Sequence, residues 1–278
     1  MTLEILKKYH IKAKKSLGQN FLVNEQIVDW ISNVIEVKDK NIIEVWPWYG
    51  ALTEKLIIKK PKSLNLVELD RDMIEVLNKR IDSWDFDLDW IDFKINNLDV
   101  LKYIPENKDY SVIANIPYYI TSPILRHFLY DVEYKPESMV ILMQKDVWDK
   151  ILWKWKEKTS VLSLFVSKKC DVSDEIFVWR QNFIPAPKVE SSVLLFKSHQ
   201  LYKEIDDMMF LEFIKKAFKE PRKKLSKNLS NSGYDKNLIM QVFSKYSIED
   251  NTRWEDLDIS IWCQLFWEFN KYKLDWNY

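Results

Sequence analysis

The stretch "IIEVWPWYGALTEKL", residues 42 to 56, decides the fold. It begins as an apolar strand and continues into a helix that starts near Gly50, with a short turn between them. This order is typical of a nucleotide-binding unit, in which the backbone of the turn lies against the ligand. Such a turn is expected to contain glycine, because only glycine lets the backbone approach so closely. Here it contains Trp46, Pro47 and Trp48, and the two large side chains need an explanation.

The composition is that of a globular protein. Of the 278 residues, 47% are apolar and 30% are charged, and the formal net charge is zero. No apolar run reaches ~18 residues, so we expect no membrane span. The first 15 residues lack the features of a signal peptide, which favours a cytoplasmic protein. Cys170 and Cys263 form no CxxC motif or Cys/His cluster, which argues against a zinc site and a disulfide framework.

The counts of glycine and tryptophan are abnormal. At the usual ~7% of glycine, a chain of this length carries roughly 19. This chain has 3 glycines and 13 tryptophans. One hypothesis is that many of these tryptophans are glycines in the living protein, because the source organism reads the codon UGA as glycine. The alternative is a glycine-poor composition with genuine tryptophans.

The order of elements predicts an α/β fold followed by a helical region. Strand and helix patterns alternate over the first two thirds of the chain, which predicts a doubly wound, mostly parallel sheet covered on both faces. Beyond residue 200 the apolar spacing is helical throughout. We therefore expect an α/β domain over residues 1–199 and a small α-helical domain over residues 200–278. The candidate strands are 41–45, 63–69, 91–95, 110–116, 138–144, 160–166 and 191–197.

Three polar residues fall at the ends of successive predicted strands. A doubly wound sheet binds its ligand beyond the carboxyl ends of its strands, where the strand order reverses. Glu68 lies about 20 residues after the turn, where an acid can bind the two ribose hydroxyls of an adenosine-type cofactor. Asp99 follows the third strand and can accept a hydrogen bond from an adenine amino group. Asn115 ends the fourth strand. Any single acid of this kind is more simply a helix cap, but three in this order indicate a binding site.

The segment "NIPYY", residues 115 to 119, suggests chemistry on an adenine base. The exocyclic amine of adenine is a poor nucleophile, because its lone pair is delocalised into the ring. The side-chain oxygen of Asn115 and the backbone carbonyl of Ile116, held by Pro117, can accept its two N–H groups. Tyr118 can stack on the ring, as in enzymes that act on extruded bases. The alternative is a proline-terminated strand with a packing tyrosine.

Several long motifs in order resemble the rRNA adenine-N6 dimethyltransferase family, and the small-subunit (16S) rRNA branch best. The resemblance covers nearly the whole chain. It implies a Rossmann-like methyltransferase domain that uses S-adenosyl-L-methionine, followed by a helical RNA-binding domain. The motifs are "KKSLGQNFLVN" (14–24), "IIEVWPWYGALTEKL" (42–56), "LVELDRDM" (66–73), "ANIPYYITSPIL" (114–125), "LMQKDV" (142–147), "FIPAPKVESSV" (183–193), "PRKKLSKNL" (221–229) and "RWEDLDIS" (253–260).

The resemblance also implies roles for individual residues. The implied cofactor-binding residues are Asn20, Leu22, Trp46, Glu68, Asp99 and Asn115, with Trp46 at the first glycine of the family's GPGxG-like turn. The target adenine is expected against Tyr118, with Phe183 as a candidate for its other face; Asn115, Ile116 and Pro117 complete the catalytic set. No general base is needed, because the methylsulfonium is already an activated electrophile. Alignment and polarisation of the amine are expected to supply most of the rate.

The resemblance sharpens the tryptophan problem. Trp179 and Trp254 also occupy positions where the family pattern has glycine, and "ILWKWKEKTS" (151–160) becomes a plausible flexible loop with glycines. A compositional accident would not place tryptophan at glycine positions preferentially. The sequence therefore favours the UGA hypothesis, without saying which of the 13 tryptophans are affected.

Two basic clusters predict contact with RNA. In a neutral protein, such local clusters near an adenine pocket favour the tracking of phosphates. The expected partner is small-subunit rRNA or the pre-30S particle. We expect the protein to be a monomer and to have a role in ribosome biogenesis. The clusters are Lys7, Lys8, Lys12, Lys14 and Lys15, and Lys215, Lys216, Lys219, Arg222, Lys223, Lys224 and Lys227.

Other functions stay open at this point. One alternative is the large-subunit branch of the family, of the antibiotic-resistance type. The other is an RNA-binding assembly factor whose cofactor pocket is blocked, if Trp46 and Trp48 are genuine. No metal is expected, because His10, His127 and His199 have no cysteine or acid at ligand spacing.

Overall fold

The computed structural model describes residues 2–152, 159–220 and 223–274. The chain forms two compact units, one of residues 1–148 and 171–198 and the other of residues 149–170 and 199–278. The boundary predicted at residues 199 and 200 did not anticipate that 149–170 belongs with the helices. As a division of functional domains it stays a prediction.

The first unit contains the strands and most of the helices that surround them. The strands are β1 (Phe21–Leu22), β2 (Asn41–Val45), β3 (Ser63–Glu68), β4 (Asp92–Asn97), β5 (Ser111–Asn115), β6 (Ser138–Gln144), β7 (Cys170–Val178), β8 (Phe183–Ile184) and β9 (Ser191–Ser198). The helices are α1 (Thr2–Lys8), α2 (Glu25–Ser32), α3 (Ala51–Ile58), α4 (Arg71–Asp82) and α5 (Thr121–Arg126), and α6 (Lys145–Leu152) begins here.

Seven strands form one sheet in the order β4-β3-β2-β5-β6-β9-β7. The five strands from β4 to β6 are parallel, and β9 runs antiparallel to β6. The order reverses at β2, whose neighbours are β3 on one side and β5 on the other. The carboxyl ends of these three strands therefore form the switch point at which a doubly wound sheet binds its ligand. The prediction of a mostly parallel α/β sheet is confirmed.

Burial along the strands follows their place in the sheet. Every residue of β2 and β3 is buried, as expected for central parallel strands covered by helices on both faces. The edge strand β4 alternates between exposed and half-buried residues. The central strands contribute Ile42, Leu64 and Ile113 to a core that also includes residues of α2 and α3. This core holds the carboxyl ends of the strands in place.

The strand predicted at residues 160–166 is wrong. This segment forms helix α7 (Val161–Ser167), because Ser160 and Ser163 make a reciprocal capping box at its start. The sequence did not predict β7, in which burial alternates along the chain and Asp171 and Glu175 are exposed, nor the two-residue strands β1 and β8. An apolar run of seven residues does not separate a buried strand from a buried helix, and here the cap decides.

The second unit is helical in its described residues. After α7 it contains α8 (Asp207–Ala217), α9 (Leu225–Asn231), α10 (Lys236–Lys245) and α11 (Ile259–Leu274). Its core is rich in aromatic side chains, and Phe213 contacts the rings of Trp262, Phe266 and Phe269. None of the helices in the described part of the chain combines the length and the apolar character that a membrane span requires.

Candidate functional site

The turn between β2 and α3 lies at the switch point of the sheet. Trp46 and Trp48 both have left-handed backbones, with φ of 55° and 56°. The turn continues the sheet, because the backbone N–H of Trp46 donates to the carbonyl of Val67 at 3.0 Å. Gly50, with φ of 83°, begins α3. A β-carbon there would lie 2.8 Å from Phe86, so this position must be glycine. The turn thus has the shape of a glycine-rich ligand turn.

Glu68 ends β3 and faces this turn. Its carboxylate accepts from the backbone N–H of Asp70 at 2.8 Å and from that of Trp48 at 3.3 Å. The side chain is 1% exposed, and the burial raises its pKa to about 7. An acid held by backbone donors beside the turn is well placed to accept hydrogen bonds from ligand hydroxyls.

Glu44 is a second buried acid that the sequence reading did not select. It lies in β2, and one carboxylate oxygen accepts from the hydroxyl of Thr53 at 2.7 Å. The other oxygen has no partner among the described residues. Burial raises its pKa to about 8, and the neighbouring Glu68 adds to the shift. The signal in the sequence was an acid inside an otherwise apolar strand.

Asn115 lies at the carboxyl end of β5, half-buried and opposite the turn. Its backbone carbonyl accepts from the indole Nε1 of Trp48 at 2.9 Å. Its side-chain amide makes no hydrogen bond with another described residue. The ring of Trp48 therefore fills the space between the turn and the strand end, and also packs edge-on against Phe21 with 5.8 Å between ring centroids.

Two further predicted cofactor residues, Asp99 and Asn20, also belong to the α/β unit. Asp99 follows β4, is half-buried and caps a short 3₁₀ helix by accepting from the N–H of Leu101. Asn20 donates to the carbonyl of Gly18 at 3.1 Å. Asp99 thus serves as a cap in this structure, which is the simpler interpretation of an acid at a strand end.

Leu22 and Phe183 meet in a small antiparallel ribbon formed by β1 and β8. They face each other across the ribbon, and both are buried, Phe183 with 3% of its surface exposed. The carbonyl of Leu22 accepts from the hydroxyl of Tyr49 at 2.6 Å. This contact ties the ribbon to the turn. Phe183 belongs to the apolar core, so little of its ring is open to a base in this conformation.

The segment after Asn115 leaves the sheet and turns into a 3₁₀ helix at residues 118–120. Ile116 is buried and Pro117 has an extended backbone that precedes this helix. The side chain of Tyr118 lies outside the described part of the chain. The adjacent Tyr119 is 63% exposed, and a β-carbon on Gly18 would come within 3.4 Å of its ring. The loop at residue 18 therefore packs closely against this segment.

A polar cluster fixes the loop that precedes β1. Gln19 is buried and donates to Asp70 at 2.8 Å, while its side-chain oxygen accepts from the backbone N–H of Lys14. The ammonium group of Lys14 lies 2.6 Å from a carboxylate oxygen of Asp70 and 2.6 Å from one of Asp72. Because Asp70 caps α4, this cluster attaches the loop to the start of that helix. Lys14 belongs to the first basic cluster identified in the sequence, whereas the two acids were not selected there.

Arg80 of α4 holds the other side of the turn. Its guanidinium donates to the carbonyls of Tyr49 and Gly50, each at 2.9 Å, and pairs with Glu54 at 2.6 Å. It also lies over the ring of Phe86, 4.5 Å from the centroid. A residue about 30 positions away in sequence therefore fixes the backbone of the turn.

The polar residues fit S-adenosylmethionine, but the two tryptophans do not. Glu68, Asp99 and Asn115 follow the strands whose ends bind such a cofactor. The cavity beside the turn, however, is only about 20 Å³ and is lined by Trp46 and Trp48 among others. That volume admits a single water, whereas ligand pockets measure roughly 300–1,000 Å³. With indoles at these two positions, the cavity in this conformation is too small for the cofactor.

The histidines make backbone contacts. A ring nitrogen of His127 lies 2.9 Å from the carbonyl of Tyr103, and one of His199 lies 3.2 Å from that of Ser167. Among residues 2–152, 159–220 and 223–274, no three His, Cys, Asp or Glu side chains gather as a metal ion requires.

Comparisons with known proteins agree with the sequence motifs. The family model described as ribosomal RNA adenine dimethylase matches residues 10–271. The "Ribosomal RNA small subunit methyltransferase A" of Mycoplasma mobile is 36% identical over 261 residues, covering 92% of this chain and 98% of the relative. That of Bacillus cytotoxicus is 33% identical over 281 residues, covering 95% and 94%.

Solved structures share the fold. A dimethyladenosine transferase from Plasmodium falciparum matches with a TM-score of 0.76 at 22% identity, covering 90% of this chain and 98% of the other. The 23S rRNA methyltransferase ErmE matches with a TM-score of 0.72 at 19% identity, covering 90% and 100%. The family resemblance and the methyltransferase fold are thus confirmed: the chain belongs to the ribosomal RNA adenine dimethylase family.

Proposed function

We propose that this protein dimethylates N6 of two adjacent adenosines near the 3′ end of small-subunit rRNA, as a step in small-subunit biogenesis. The observation that carries the proposal is that Glu68 and Asn115 both lie at the switch point of the sheet. Asn115 is followed directly in the sequence by "IPYY", residues 116–119. The relatives at 31–36% identity are named as small-subunit enzymes, which favours that substrate over large-subunit rRNA.

The proposed chemistry needs orientation rather than a base. S-adenosylmethionine, the cofactor of the family, supplies an activated methyl group. The side-chain oxygen of Asn115 and the backbone carbonyl of Ile116 accept the two N–H groups of the adenine amine and direct its lone pair. Pro117 limits the motion of that carbonyl, because its ring fixes the backbone. Tyr118 and Phe183 are proposed to hold the base between them, which requires the buried ring of Phe183 to become accessible.

Glu68, Asp99, Asn20 and Leu22 are proposed to bind the cofactor. The raised pKa of Glu68 reflects its burial without a cationic partner. Its carboxylate already accepts from two backbone N–H groups, so it has lone pairs left for two ribose hydroxyls. The position at residue 46 is proposed to touch the cofactor through its backbone, which suits the left-handed turn described above.

The helical domain over residues 200–278 is proposed to bind rRNA. A groove of about 430 Å³ in the helical unit is lined by lysines, serines and an asparagine, which can bind phosphate, together with Ile239, Met240 and Asp250. Lys223 and Lys224 are already paired with Glu220 and Asp250. RNA phosphates would compete with these acids for the lysines. Lining residues of the groove include Lys224, Ser226, Lys227, Ser230, Asn231 and Lys236.

The test uses the protein purified from its own cells, incubated with unmethylated small-subunit particles and S-adenosylmethionine. Primer extension should stop at two adjacent adenosines, and nucleoside analysis should find N6,N6-dimethyladenosine. Large-subunit particles serve as the matched control and should stay unmodified. Modification of the large subunit alone would favour the resistance-type alternative, and modification of neither would favour the blocked RNA-binding factor. The same preparation tests the proposed monomeric state and cytoplasmic location, by sedimentation and by fractionation.

A further inference from the structure

Tryptophan is concentrated at backbone positions that favour glycine. It accounts for 13 of the 278 residues, yet for four of the eight non-glycine residues with positive φ in the described part of the chain. Positive φ is uncommon for any residue with a side chain and is an outlier for a bulky one. The three glycines of the sequence all have positive φ. The four tryptophans are Trp46 (φ 55°), Trp48 (56°), Trp84 (57°) and Trp90 (85°).

Trp84 occupies the glycine position of a helix C-cap. It follows Ser83, the residue that caps α4. The backbone N–H of Trp84 donates to the carbonyl of Ile81 at 3.0 Å. The backbone N–H of Asp85 donates to the carbonyl of Arg80 at 2.9 Å. These two bonds with a left-handed residue between them define a Schellman motif, in which that residue is usually glycine. The indole of Trp84 is 88% exposed, so no packing explains a tryptophan here.

Trp90 occupies the glycine position of a β-turn. The turn runs from Leu88 to Ile91 and is closed by a 3.1 Å hydrogen bond from the N–H of Ile91 to the carbonyl of Leu88. Its third residue has positive φ while its second does not, which is the type II arrangement that requires glycine or asparagine in third place. The indole of Trp90 is 94% exposed and packs into no core.

At Trp46 and Trp48 the same backbone occurs where the site needs space. Both indoles are buried, and they close the cavity that the cofactor requires. Glu44 lines the same cavity and Glu68 accepts from the backbone N–H of Trp48, and neither acid forms an ion pair with a described residue. A buried acid without a compensating charge is costly, and it is expected where a polar ligand normally lies. Here the indoles take the place of that ligand.

The remaining described tryptophans do not have this backbone. Trp30, Trp148, Trp262 and Trp267 lie inside helices, and Trp262 is a fully buried part of the aromatic core. Trp179 has φ of −64°, and Trp254 is not among the residues with positive φ. The backbone therefore gives no support to glycine at these two positions, which the family motifs had suggested. Trp153, Trp155 and Trp276 lie outside the described residues.

We infer that the protein made in its own cells has glycine at positions 46, 48, 84 and 90, because the organism reads the codons there, UGA, as glycine. For positions 46 and 48 the inference rests partly on the proposed function, since the blocked cavity matters only if a cofactor binds. For positions 84 and 90 it rests on the backbone alone. With glycine at positions 46 and 48, no side chain occupies the cofactor cavity. With glycine at positions 84 and 90, the C-cap of α4 and the β-turn at residues 88–91 are unstrained.

The gene and the native protein provide the first test. We expect UGA codons at positions 46, 48, 84 and 90, a UGG codon at position 262, and peptides of the native protein whose masses show glycine at the four positions. UGG codons at 46 and 48 would overturn the inference for the cofactor turn. UGG codons at 84 and 90 would overturn it for the two surface positions, and UGA at 262 would show that the backbone criterion fails.

Recombinant variants of the full chain provide the second test. W46G/W48G should bind S-adenosylhomocysteine at least about 100-fold more tightly than the tryptophan form, because no side chain then has to leave the ligand's volume. W84G/W90G is the matched control with the same two changes outside the site. It should leave the affinity unchanged and raise the melting temperature by about 2–4 °C per position. Equal affinity of W46G/W48G and the tryptophan form, or a lower melting temperature of W84G/W90G, would overturn the inference.

The outcomes separate this inference from the proposed function. If W46G/W48G binds S-adenosylhomocysteine but modifies no rRNA, the inference stands and the proposed function fails. If the tryptophan form modifies small-subunit rRNA as fast as W46G/W48G, the inference fails for positions 46 and 48 and the proposed function stands. Calorimetry of cofactor binding and primer extension on small-subunit particles, carried out on the same preparations, supply both readouts.

Discussion

The turn after β2 and the core of the helical unit each bury a tryptophan, but in different ways. Trp262 lies in a regular helix and contacts the rings of Phe213 and Phe218, with centroids 5.9 and 5.3 Å away. Trp48 has a left-handed backbone and lies against Phe21 and the carbonyl of Asn115. Both side chains are at most 5% exposed. Burial alone therefore does not distinguish a structural tryptophan from one that occupies a ligand site, whereas the backbone conformation does.

The largest expected effect tests this contrast through stability. W262A should lower the free energy of unfolding by about 3–5 kcal/mol, because it removes a large ring from a closed core. W48A should lower it by less than half as much, because the space it leaves joins a site that water can enter. Urea unfolding followed by circular dichroism measures both. Equal losses would mean that Trp48 is as much a part of its core as Trp262.

The next effect concerns Asn115, beside which the indole of Trp48 lies. In the W46G/W48G background, N115A should slow methylation of small-subunit rRNA by about 10²–10³-fold, as the loss of one polarising group does in other enzymes. The exposed Asn33 at the end of α2 provides the matched control, and N33A should leave the rate unchanged. Single-turnover kinetics measures both. If N115A retains the full rate, Asn115 does not orient the amine.

A third effect concerns the two buried acids beside the turn. The folded-state pKa values of Glu44 and Glu68, about 8 and about 7, lie above that of an unfolded glutamate. These two acids therefore bind more protons in the folded than in the unfolded protein above pH 4.5, and their contribution to stability is largest at low pH and falls as the pH rises toward 8. The loss is about 1.4 kcal/mol per pH unit for each acid over its interval.

Unfolding at pH 5.5 and pH 7 checks this dependence. E44Q should flatten it, since an amide does not titrate, and E36Q at an exposed position should not. W46G/W48G should also flatten it, because water that enters the cavity stabilises the charged form of Glu68. A slope that is the same in all four proteins would mean that the acids are charged in the folded state.

The smallest effect concerns the lysines of the helical unit. K223E/K224E should weaken binding to small-subunit particles and reduce the slope of log affinity against log salt by about 1 per lysine that contacts a phosphate. K38E/K40E makes the same charge change in the α/β unit and serves as the control. Filter binding at several salt concentrations gives the slopes. A salt dependence that is flat in the unaltered protein would exclude phosphate tracking.

Much of the site follows from sequence patterns because it depends on strand ends. The carboxyl ends of parallel strands meet at one edge, so the order of apolar runs suffices to bring Glu68 and Asn115 to the same edge of the sheet. Phe183 was harder to place, because its burial depends on pairing with β1, more than 150 residues earlier. Its role in holding the base remains a prediction.

Other features required coordinates. Glu44 gave little signal, since its burial arises from the helices that cover β2. The helix at 161–167 was mistaken for a strand, because a short apolar run fits both and its serine cap is a weak signal. The left-handed backbone at Trp84 and Trp90 could not be predicted from the amino-acid sequence, because it depends on the turn and not on the residue type. Positive φ therefore distinguishes four tryptophans from the others, which the amino-acid composition cannot do.

The side chain of Arg80 contributes both to cofactor binding and to the thermal stability of the end of α4. Its guanidinium donates to the carbonyls of Tyr49 and Gly50 in the cofactor turn and pairs at 3.3 Å with Asp85, whose backbone N–H closes the C-cap of α4. A substitution selected for heat resistance at this helix end would therefore also alter cofactor affinity, and the reverse holds as well. Directed evolution of this enzyme should keep Arg80 constant and seek variation elsewhere, because at this position the two traits cannot be improved independently.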